Sequence, residues 1–325
     1  MREFSEEQVA QLLVPARVIA ALEESLRHNY RKSVWMPPRT HVDVPSLGVL
    51  LIMPCQDRER GGLGIKLVLV RNRPTAGGET VRATYFLLDS ETAEVKAVVA
   101  ANRLTEMRTA ATSAVATKYL ARLDSTTLGV FGTGRQARVH IQVLPEVRKF
   151  RRVLVCGSSP QRSQAFVRQL SPEQALTIEA ADARRCIAES DVVCTCTTSQ
   201  IPLFEGRWLR PGTHLNLVGA FQPNAREVDD ETIRRSRVVV DTYEGALAEA
   251  GDLLIPLERG VIRREHIGAD LHEIVSGKRP GRQSAEEITV FKSVGFALED
   301  LVTAKLVCEQ DFSAPGQTRS DKTGE

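Results

Sequence analysis

The chain has 325 residues, of which 42% are hydrophobic and 26% charged, a composition typical of a globular protein long enough for two domains. Lys and Arg number 43 against 41 Asp and Glu, so no one-sided charge favours nucleic acid or an anionic membrane as a partner. The N-terminal MREFSEEQVAQLL has acids where a secretory signal is apolar, which predicts a cytoplasmic protein. None of the six cysteines forms a C-x-x-C pair, and we expect reduced thiols and no metal site.

The first part of the chain combines helices with a series of short strands. Ser5 and Gln8 have the spacing of a capping box, and the helical pattern that follows is interrupted at Pro15. Between residues 34 and 100, β-rich runs separated by Pro, Gly and Asp predict an antiparallel sheet. The Ala-rich segment LTEMRTAATSAVATKYLARL then predicts a helix with Thr105 as its N-cap.

From residue 126 the pattern changes to strands that alternate with helices. Most of these strands are continuous apolar runs, as in a parallel sheet covered on both faces. The predicted fold class is therefore α/β, with a Rossmann-type doubly wound parallel sheet and a second, α+β domain that has a mainly antiparallel sheet. The predicted strands of the parallel sheet are residues 126–131, 151–156, 176–180, 191–196, 214–219 and 237–242.

The same patterns predict the domain boundaries. Residues 1–120 form one domain, onto which a C-terminal helix at about residues 295–312 packs back, and residues 121–294 form the nucleotide-binding domain. The small polar residues 313–325 predict a disordered tail.

A glycine motif stands at the junction of the first parallel strand and the helix after it. In LGVFGTGRQARVHIQVL, Gly132, Gly134 and Ala137 have the spacing G-x-G-x-x-A. The glycines allow a tight turn and close approach of a pyrophosphate, whose charge the helix N-terminus stabilises. Thr133 and Gln136 lie within the motif and join the candidate cofactor-binding residues. The alternative is a glycine turn without a ligand.

The end of the second parallel strand indicates which cofactor is bound. An NAD site usually has an acid there for the ribose 2′-hydroxyl, whereas this strand is followed by Ser158, Ser159 and Arg162. Because an arginine offers paired donors to phosphate oxygens, NADPH is favoured over NADH as the cofactor. The alternative is an ordinary polar turn with Arg162 in solvent.

Three cations of the first domain are candidates for a substrate site. Arg39 follows MPP, Lys66 interrupts the apolar strand GLGIKLVLV, and Arg108 lies in the Ala-rich helix. Each has a simpler explanation, such as the exposed side of an edge strand or a solvated helix face. Together, on a sheet that faces a nucleotide crevice, they predict a pocket for a small carboxylate.

The end of the fifth predicted strand carries no group that could transfer a proton. Ligands bind outside the carboxyl ends of the strands in open α/β sheets, which places Gly219 and Phe221 at the crevice. Phe221 could form an apolar wall there, but it could not act as an acid or a base. We therefore expect the proton chemistry to come from the first domain.

The motifs in this order resemble those of the ornithine cyclodeaminase and mu-crystallin family. The matching blocks extend from about residue 36 to residue 306 and read MPPR, GIK, LTEMRTAATSAVATKYLA, GVFGTGRQA, VGAFQPNAREVDDE, EAGDL and TVFKSVGFALEDLVTAKLV. The resemblance implies a homodimeric, NAD(P)-dependent enzyme. It further implies that the N-terminal sheet domain, joined by the C-terminal helix, forms the substrate site and the dimer interface.

The resemblance also implies roles for individual residues. Arg39 and Arg108 would hold the substrate carboxylate, Lys66 would lie beside the reacting carbon, and Thr109 would contact the cofactor. The candidate substrate-binding residues are Arg39, Met53, Lys66, Arg108 and Phe221, with Lys66 as the candidate catalytic residue. The candidate cofactor-binding residues are Thr109, Gly132, Thr133, Gly134, Gln136, Ala137, Ser158, Ser159, Arg162 and Gly219.

Phe221 distinguishes between the reactions of this family. Ornithine cyclodeaminases have an acidic residue directly after the glycines at this strand end, and this sequence has Phe221. The block resembles more closely the mu-crystallin-like members and the Δ1-pyrroline-2-carboxylate reductases. It implies reduction of a cyclic ketimine, such as Δ1-pyrroline-2-carboxylate or Δ1-piperideine-2-carboxylate, to the cyclic amino acid.

Several alternatives stay open at this level. An amino-acid dehydrogenase of the alanine dehydrogenase type, or an opine-like reductive condensation, would use the same cations and the same hydride. The others are an ornithine cyclodeaminase, in which another residue replaces the missing acid, and a non-catalytic protein that binds NADP and a ligand.

Overall fold

The computed structural model describes residues 1–28, 30–73, 80–170 and 176–311, so the predicted disordered tail lies outside the described residues. Its helices are α1 (Glu6–Leu12), α2 (Pro15–Arg27), α3 (Tyr30–Ser33), α4 (Ala101–Leu120), α5 (Arg135–Val143), α6 (Pro160–Gln169), α7 (Ala183–Glu189), α8 (Asp230–Arg235), α9 (Tyr243–Glu249), α10 (Gly251–Glu258), α11 (Leu271–Val275) and α12 (Ala297–Asp311). Its strands are β1 (Arg2–Phe4), β2 (Val34–Trp35), β3 (Thr40–Val44), β4 (Gly48–Asp57), β5 (Leu63–Arg71), β6 (Val81–Leu88), β7 (Val95–Ala100), β8 (Thr127–Phe131), β9 (Arg152–Cys156), β10 (Thr177–Ala180), β11 (Val192–Thr195), β12 (His214–Leu217), β13 (Ser236–Val240), β14 (Ile267–Asp270) and β15 (Ile288–Lys292). No helix in the described ranges is long and apolar enough to cross a membrane.

The first sheet has the order β1-β7-β6-β5-β4-β2, with β3 also paired to β4. Apart from β1, which runs parallel to β7, its strands are antiparallel, as predicted. Side chains along β4 to β7 alternate between buried and half-buried, because successive residues of a strand point to opposite faces. The buried face packs against helices that include α4 and the C-terminal helix α12.

The second sheet has the order β10-β9-β8-β11-β12-β15-β13-β14, and its paired strands are all parallel. The predicted fold class is confirmed, but the prediction of six strands was wrong, because the described residues also form β14 and β15. Both are short, and β15 directly precedes a helical segment. A short apolar run in that position cannot be distinguished from the start of a helix by periodicity.

The N-terminal caps of α1 and α4 differ, because one comes from neighbouring residues and the other from a distant segment. The capping box of α1 is present, with the Ser5 hydroxyl accepting from the N–H of Gln8 and the Gln8 side chain accepting from the N–H of Ser5. The prediction that α4 begins at Thr105 was wrong, since it begins one turn earlier, at Ala101. Its N-terminal N–H groups, those of Asn102 and Arg103, donate to the Glu6 carboxylate at 3.0 and 2.8 Å, a cap from a distant segment that local spacing does not reveal.

The two sheets face each other across a cleft of about 420 Å³. One wall comes from β4, β5, β6 and α4, and the other from the loops after β8, β11, β12 and β15. Because the second sheet is parallel, these four loops all follow carboxyl ends of strands and meet at one edge. The fold therefore places the glycine motif opposite the predicted cations.

Candidate active site

The cleft brings together most of the residues that the sequence singled out. The predicted residues that line it are Arg39, Met53, Lys66, Arg108, Thr109, Gly134, Gln136, Gly219 and Phe221. They come from segments up to 182 positions apart in the chain, counted from Arg39 to Phe221. Ser158, Ser159 and Arg162 follow the neighbouring strand β9.

Lys66 is buried at the base of the cleft. Its side chain is 1% exposed, and its Nζ lies 2.7 Å from Oδ1 of Asp300, on α12. It stands opposite Met53 in the register of β4 and β5, and both side chains point to the buried face. Burial lowers the pKa of Lys66 to about 8, an effect that Asp300 partly offsets. The alternative of a lysine on the exposed side of an edge strand is therefore wrong.

Arg108 is held by two adjacent acids of α12, one of which, Asp300, also pairs with Lys66. Its Nη1 lies 2.5 Å from Oε2 of Glu299, and its Nε lies 3.2 Å from Oδ1 of Asp300. The Thr112 hydroxyl, one turn along α4, donates to the other Glu299 oxygen at 2.8 Å. Burial raises the pKa of Glu299 to about 7. The alternative of a solvated Arg108 is excluded, since its side chain is 7% exposed.

Arg39 reaches the cleft from the segment before β3. Its guanidinium donates to the backbone carbonyls of Val294 and Gly295 and pairs with Glu249 at 3.0 Å. The loop that supplies these carbonyls is itself fixed, because Oδ2 of Asp241 accepts the N–H groups of Val294 and Gly295 at 2.7 Å. Arg39 therefore connects the first sheet to the loop after β15.

Sequence reasoning missed the carboxylates behind these cations. Glu249 pairs with Arg39, Glu299 with Arg108, and Asp300 with both Lys66 and Arg108, so each of the three cations has a carboxylate partner. A signal for two of them was present, because GFALEDLVTAKLV places adjacent acids in a helix that is otherwise largely apolar. Oδ2 of Asp300 is buried and has no hydrogen-bond partner among the described residues.

The opposite wall is formed by the glycine motif. Gly132 has φ +117°, and a Cβ there would lie 2.5 Å from the Cys196 carbonyl oxygen, so only glycine fits. Gly134 is the N-cap of α5, and the space around its Cβ position is open. Thr133 follows Gly132 in this loop, and the buried Ala137 lies in the first turn of α5. Uncapped N–H groups beside open space fit the diphosphate of a dinucleotide.

Another observation points to a ligand at this wall. Oε1 of Gln136 is a buried acceptor without a hydrogen-bond partner in the described part of the chain, and Gln136 lines the cleft. The Thr109 hydroxyl, on the facing helix, donates to the Thr105 carbonyl at 2.7 Å and keeps acceptor capacity. The residues present thus fit a dinucleotide cofactor.

The turn after β9 is polar and carries no acid. Ser159 caps α6, its hydroxyl accepting from the N–H of Arg162 at 3.2 Å. The guanidinium of Arg162 is exposed and approaches the Ser158 hydroxyl at 3.5 Å. The geometry leaves these groups accessible from solvent, and their role toward a cofactor phosphate stays a prediction.

The loop after β12 is supported by a buried carboxylate from the segment that precedes α8. Residues 226–232, REVDDET, include the start of a helix, because Asp229 caps α8 and Asp230 and Glu231 lie in its first turn. Glu227, however, is fully buried and accepts from the Gly219 N–H at 2.8 Å. A buried acid two residues before an N-cap has no local signature, so only the fold reveals it.

Similarities to known proteins agree with this geometry. The model of the ornithine cyclodeaminase/mu-crystallin family matches residues 4–314. A Delta(1)-pyrroline-2-carboxylate reductase of Bacillus cereus is 37% identical over 263 residues, which are 80% of this chain and 81% of that protein.

Solved structures resemble the whole fold. The Thermococcus litoralis Delta(1)-pyrroline-2-carboxylate reductase in complex with NADH and L-proline is 38% identical, with a TM-score of 0.92 over 96% of this chain and 98% of that chain. An archaeal alanine dehydrogenase dimer with bound NAD is 31% identical, with a TM-score of 0.91 over 98% of each chain. The chain therefore belongs to the ornithine cyclodeaminase/mu-crystallin family.

Proposed function

We propose that this protein is an NAD(P)H-dependent reductase that converts a small cyclic ketimine into the cyclic amino acid. The observation that carries the proposal is the convergence of Arg39, Lys66 and Arg108 on the cleft that the glycine loop borders. The Bacillus cereus relative is a reductase of Δ1-pyrroline-2-carboxylate, and the Thermococcus litoralis structure contains NADH and L-proline. Δ1-Pyrroline-2-carboxylate and Δ1-piperideine-2-carboxylate are the substrates we expect.

The cofactor is held by the wall that the glycine motif forms. Gly132, Thr133, Gly134, Gln136 and Ala137 would bind the diphosphate and the adjoining groups, with Thr109 and Gly219 at the nicotinamide end. Bound NAD(P)H supplies the hydride that reduces the C=N carbon.

Lys66 is the proton donor in this proposal. Reduction of a C=N bond leaves a proton to be placed on nitrogen, and Lys66 is a cation that lines the cleft. Because burial lowers its pKa to about 8, the ammonium is protonated at neutral pH but loses its proton more readily than an exposed lysine would. Asp300 stabilises the ammonium and fixes its position at 2.7 Å.

The two arginines orient the substrate through its carboxylate. Glu299 and Asp300 form ion pairs with Nη1 and Nε of Arg108, which orients the guanidinium and leaves Nη2 outside these two pairs. Arg39 is likewise fixed by the two backbone carbonyls of the loop after β15. Preorganised donors of this kind reduce the entropy that must be lost when the substrate is positioned.

A second candidate is an amino-acid dehydrogenase, because the archaeal alanine dehydrogenase has the same fold and 31% identity. It would use the same cations on an imine formed from a 2-oxo acid and ammonia. A cyclodeaminase is less well supported, since Phe221 stands where that reaction has an acid.

The test is NADPH and NADH oxidation with Δ1-pyrroline-2-carboxylate, Δ1-piperideine-2-carboxylate, or pyruvate with ammonia, beside an ornithine assay that measures proline and ammonia. We expect rapid oxidation with a cyclic imine, no need for ammonia and no reaction of ornithine. Turnover only with pyruvate and ammonia would support the dehydrogenase. Proline and ammonia from ornithine would contradict the proposal.

We further propose that NADPH is preferred, because Ser158, Ser159 and Arg162 replace an acid after β9. Arg162→Ala should raise KM for NADPH about tenfold and leave KM for NADH almost unchanged, since only NADPH carries the 2′-phosphate. Steady-state kinetics with both cofactors measure this. An equal change for both would contradict a 2′-phosphate contact.

The open face of the first sheet supports the proposal of a homodimer. Its half-buried residues are mainly apolar and form a continuous surface: Leu50, Ile52, Pro54, Ile65, Leu67, Leu69, Thr84, Phe86, Leu88 and Val98. Apolar patches of this kind commonly mark protein interfaces. We propose that the N-terminal sheet domain, joined by the C-terminal helix, forms the substrate site and the dimer interface, and that residues 121–294 bind the nucleotide. Sedimentation equilibrium should give twice the chain mass.

A further inference from the structure

A buried carboxylate behind the cleft holds two strand ends together. Glu227 is fully buried, and its carboxylate accepts four hydrogen bonds from the described residues. Oε1 accepts from the Thr197 N–H at 2.8 Å and the Thr197 hydroxyl at 2.7 Å. Oε2 accepts from the Gly219 N–H at 2.8 Å and the Thr195 hydroxyl at 2.6 Å. The carboxylate thus joins the end of β11 to the end of β12.

The pattern of these bonds requires a carboxylate. Each oxygen accepts one backbone N–H, and a backbone N–H cannot turn to become an acceptor. A glutamine would have to place its amide hydrogens against either the Thr197 or the Gly219 N–H. Burial raises the pKa of Glu227, while its hydrogen bonds with threonines favour the ionised form.

The space around this contact is filled. A Cβ on Gly219 would lie 2.4 Å from Oε1 of Glu227 and 2.2 Å from the Thr197 carbonyl oxygen. Gly219 is therefore packed directly on the carboxylate. A shift of the carboxylate would move the strand end with it.

A second layer fixes Glu227 and the next peptide of the loop. Oδ1 of Asp252 accepts the N–H groups of Glu227 and Val228 at 2.7 and 3.1 Å, and its Oδ2 lies 2.9 Å from Nζ of Lys292. Lys292 also donates to the Ala220 carbonyl. The Gly219–Ala220 segment is therefore held at its N–H by Glu227 and at its carbonyl by Lys292.

The residues held in this way form part of the cleft. Thr197, Gly219 and Phe221 line it, next to the glycine loop and opposite Lys66. We propose that Glu227 is a positioning residue for the reductase: its carboxylate sets where Thr197 and Phe221 stand, and so aligns the nicotinamide and the imine for hydride transfer. This inference rests on the proposed function.

The test compares Glu227→Gln with Asp229→Asn. Asp229 is a matched control, because its two oxygens also accept one backbone N–H each, from Thr232 at 2.8 Å and Gly206 at 2.9 Å. It caps α8, and its partners lie outside the cleft wall. Both changes create the same defect, an amide against a backbone N–H, but only one of them is beside the cleft.

The measurements are Tm, the Kd of NADPH by fluorescence, kcat and KM for the cyclic imine, and the isotope effect on kcat with cofactor deuterated at C4. We expect both variants to lower Tm. We expect only Glu227→Gln to lower kcat, by about 10- to 100-fold, because small misplacements of reacting groups cost that much. Its isotope effect should rise as hydride transfer becomes slower, and its Kd for NADPH should increase several-fold.

A kcat of Glu227→Gln within about twofold of wild type, or an equal loss in Asp229→Asn, would overturn the proposal and leave Glu227 with a structural role. If Glu227→Gln does not fold, Thr195→Val serves as the second variant. It replaces a fully buried threonine by a side chain of nearly the same shape and removes the hydroxyl that donates to Oε2 of Glu227. We expect kcat to fall about threefold, with a larger isotope effect. An unchanged kcat and isotope effect would overturn the proposal in that case. Failure of the proposed function is distinguishable, because a wild type inactive on imines would still show the difference in NADPH affinity.

Discussion

The comparison of two buried lysines, Lys66 and Lys292, shows how a candidate reacting group differs from a structural one. Lys66 is 1% exposed and lies 2.7 Å from Asp300, and Lys292 is 0% exposed and lies 2.9 Å from Asp252. By burial and pairing they are equivalent. They differ in access, since Lys66 lines the cleft while the Lys292 ammonium donates to the Ala220 carbonyl. A buried ion pair alone therefore does not identify a reacting group.

Their surroundings account for the difference. Asp300, the partner of Lys66, also pairs with Arg108 through the same oxygen, Oδ1, so this lysine lies within a cluster of cleft-lining cations. Asp252, the partner of Lys292, accepts two backbone N–H groups as well as the lysine. The Lys292 pair is thus tied to the backbone of a loop, whereas the Lys66 pair adjoins the cleft, where a substrate can approach.

The strongest test of the comparison is Lys66→Met. It removes the proposed proton donor, and general acid catalysis is worth about 10²–10⁴-fold, so kcat/KM for the cyclic imine should fall by that factor. The fold should persist, because Arg108 still lies 3.2 Å from Asp300. Steady-state kinetics and circular dichroism measure both. A folded variant that keeps more than about a tenth of the wild-type rate would end the assignment of Lys66.

Lys292→Met is the matched substitution in the second pair. It leaves Asp252 charged and buried without its cation, which typically costs about 3–5 kcal/mol, so the free energy of unfolding should fall by about that amount. Urea unfolding measures it. The loss of kcat should be smaller than for Lys66→Met. A cost below about 1 kcal/mol, or the reverse order of rates, would show that the two lysines do not differ as described.

The pH dependence should sharpen the comparison. Burial lowers the pKa of Lys66 to about 8, so its ammonium holds the proton below that pH and loses it above. The kcat/KM for imine reduction should be level below about pH 8 and fall about tenfold per unit above it. A profile from about pH 6 to about pH 10, with the Kd of NADPH as a control, tests this. A level profile up to about pH 10 would contradict proton donation by Lys66.

The smallest effect is expected at Phe221, which directly follows the Gly219–Ala220 segment that Glu227 and Lys292 hold in place. Phe221 lines the cleft and is 37% exposed, so it can contact the ring of the imine. Phe221→Leu should change the ratio of kcat/KM between five- and six-membered ring imines by about fivefold, since one methylene is worth about 1–3 kcal/mol of discrimination. An unchanged ratio would show that another residue contacts the ring.

Local patterns predicted much of this site. The G-x-G-x-x-A motif, the lysine inside an apolar strand and the arginine inside an Ala-rich helix are each visible in a few residues of sequence. The parallel sheet then determines that the glycine loop and Gly219 meet at one edge, because the carboxyl ends of parallel strands lie together. The strand β15 was missed because a five-residue apolar run has no distinctive period.

The carboxylates that complete the site could not be predicted in the same way. Glu227, Asp252 and Asp300 each act on a residue at least 8 positions away in the chain, the shortest separation being from Glu227 to Gly219. An acid in a helix or before an N-cap looks locally like a solvated or capping group. Its burial, and hence its role, depends on which distant segment packs over it.

The sequence by itself determined the fold class, the glycine loop and the cations that face it, because hydrophobic periodicity and the conformational freedom of glycine act over a few residues. The tertiary structure alone decided which of two buried lysines faces the cleft and which carboxylate holds each strand end. The physical reason is that hydrogen bonds and ion pairs between distant segments exist only after the sheets have packed. Low local dielectric then makes those few contacts strong.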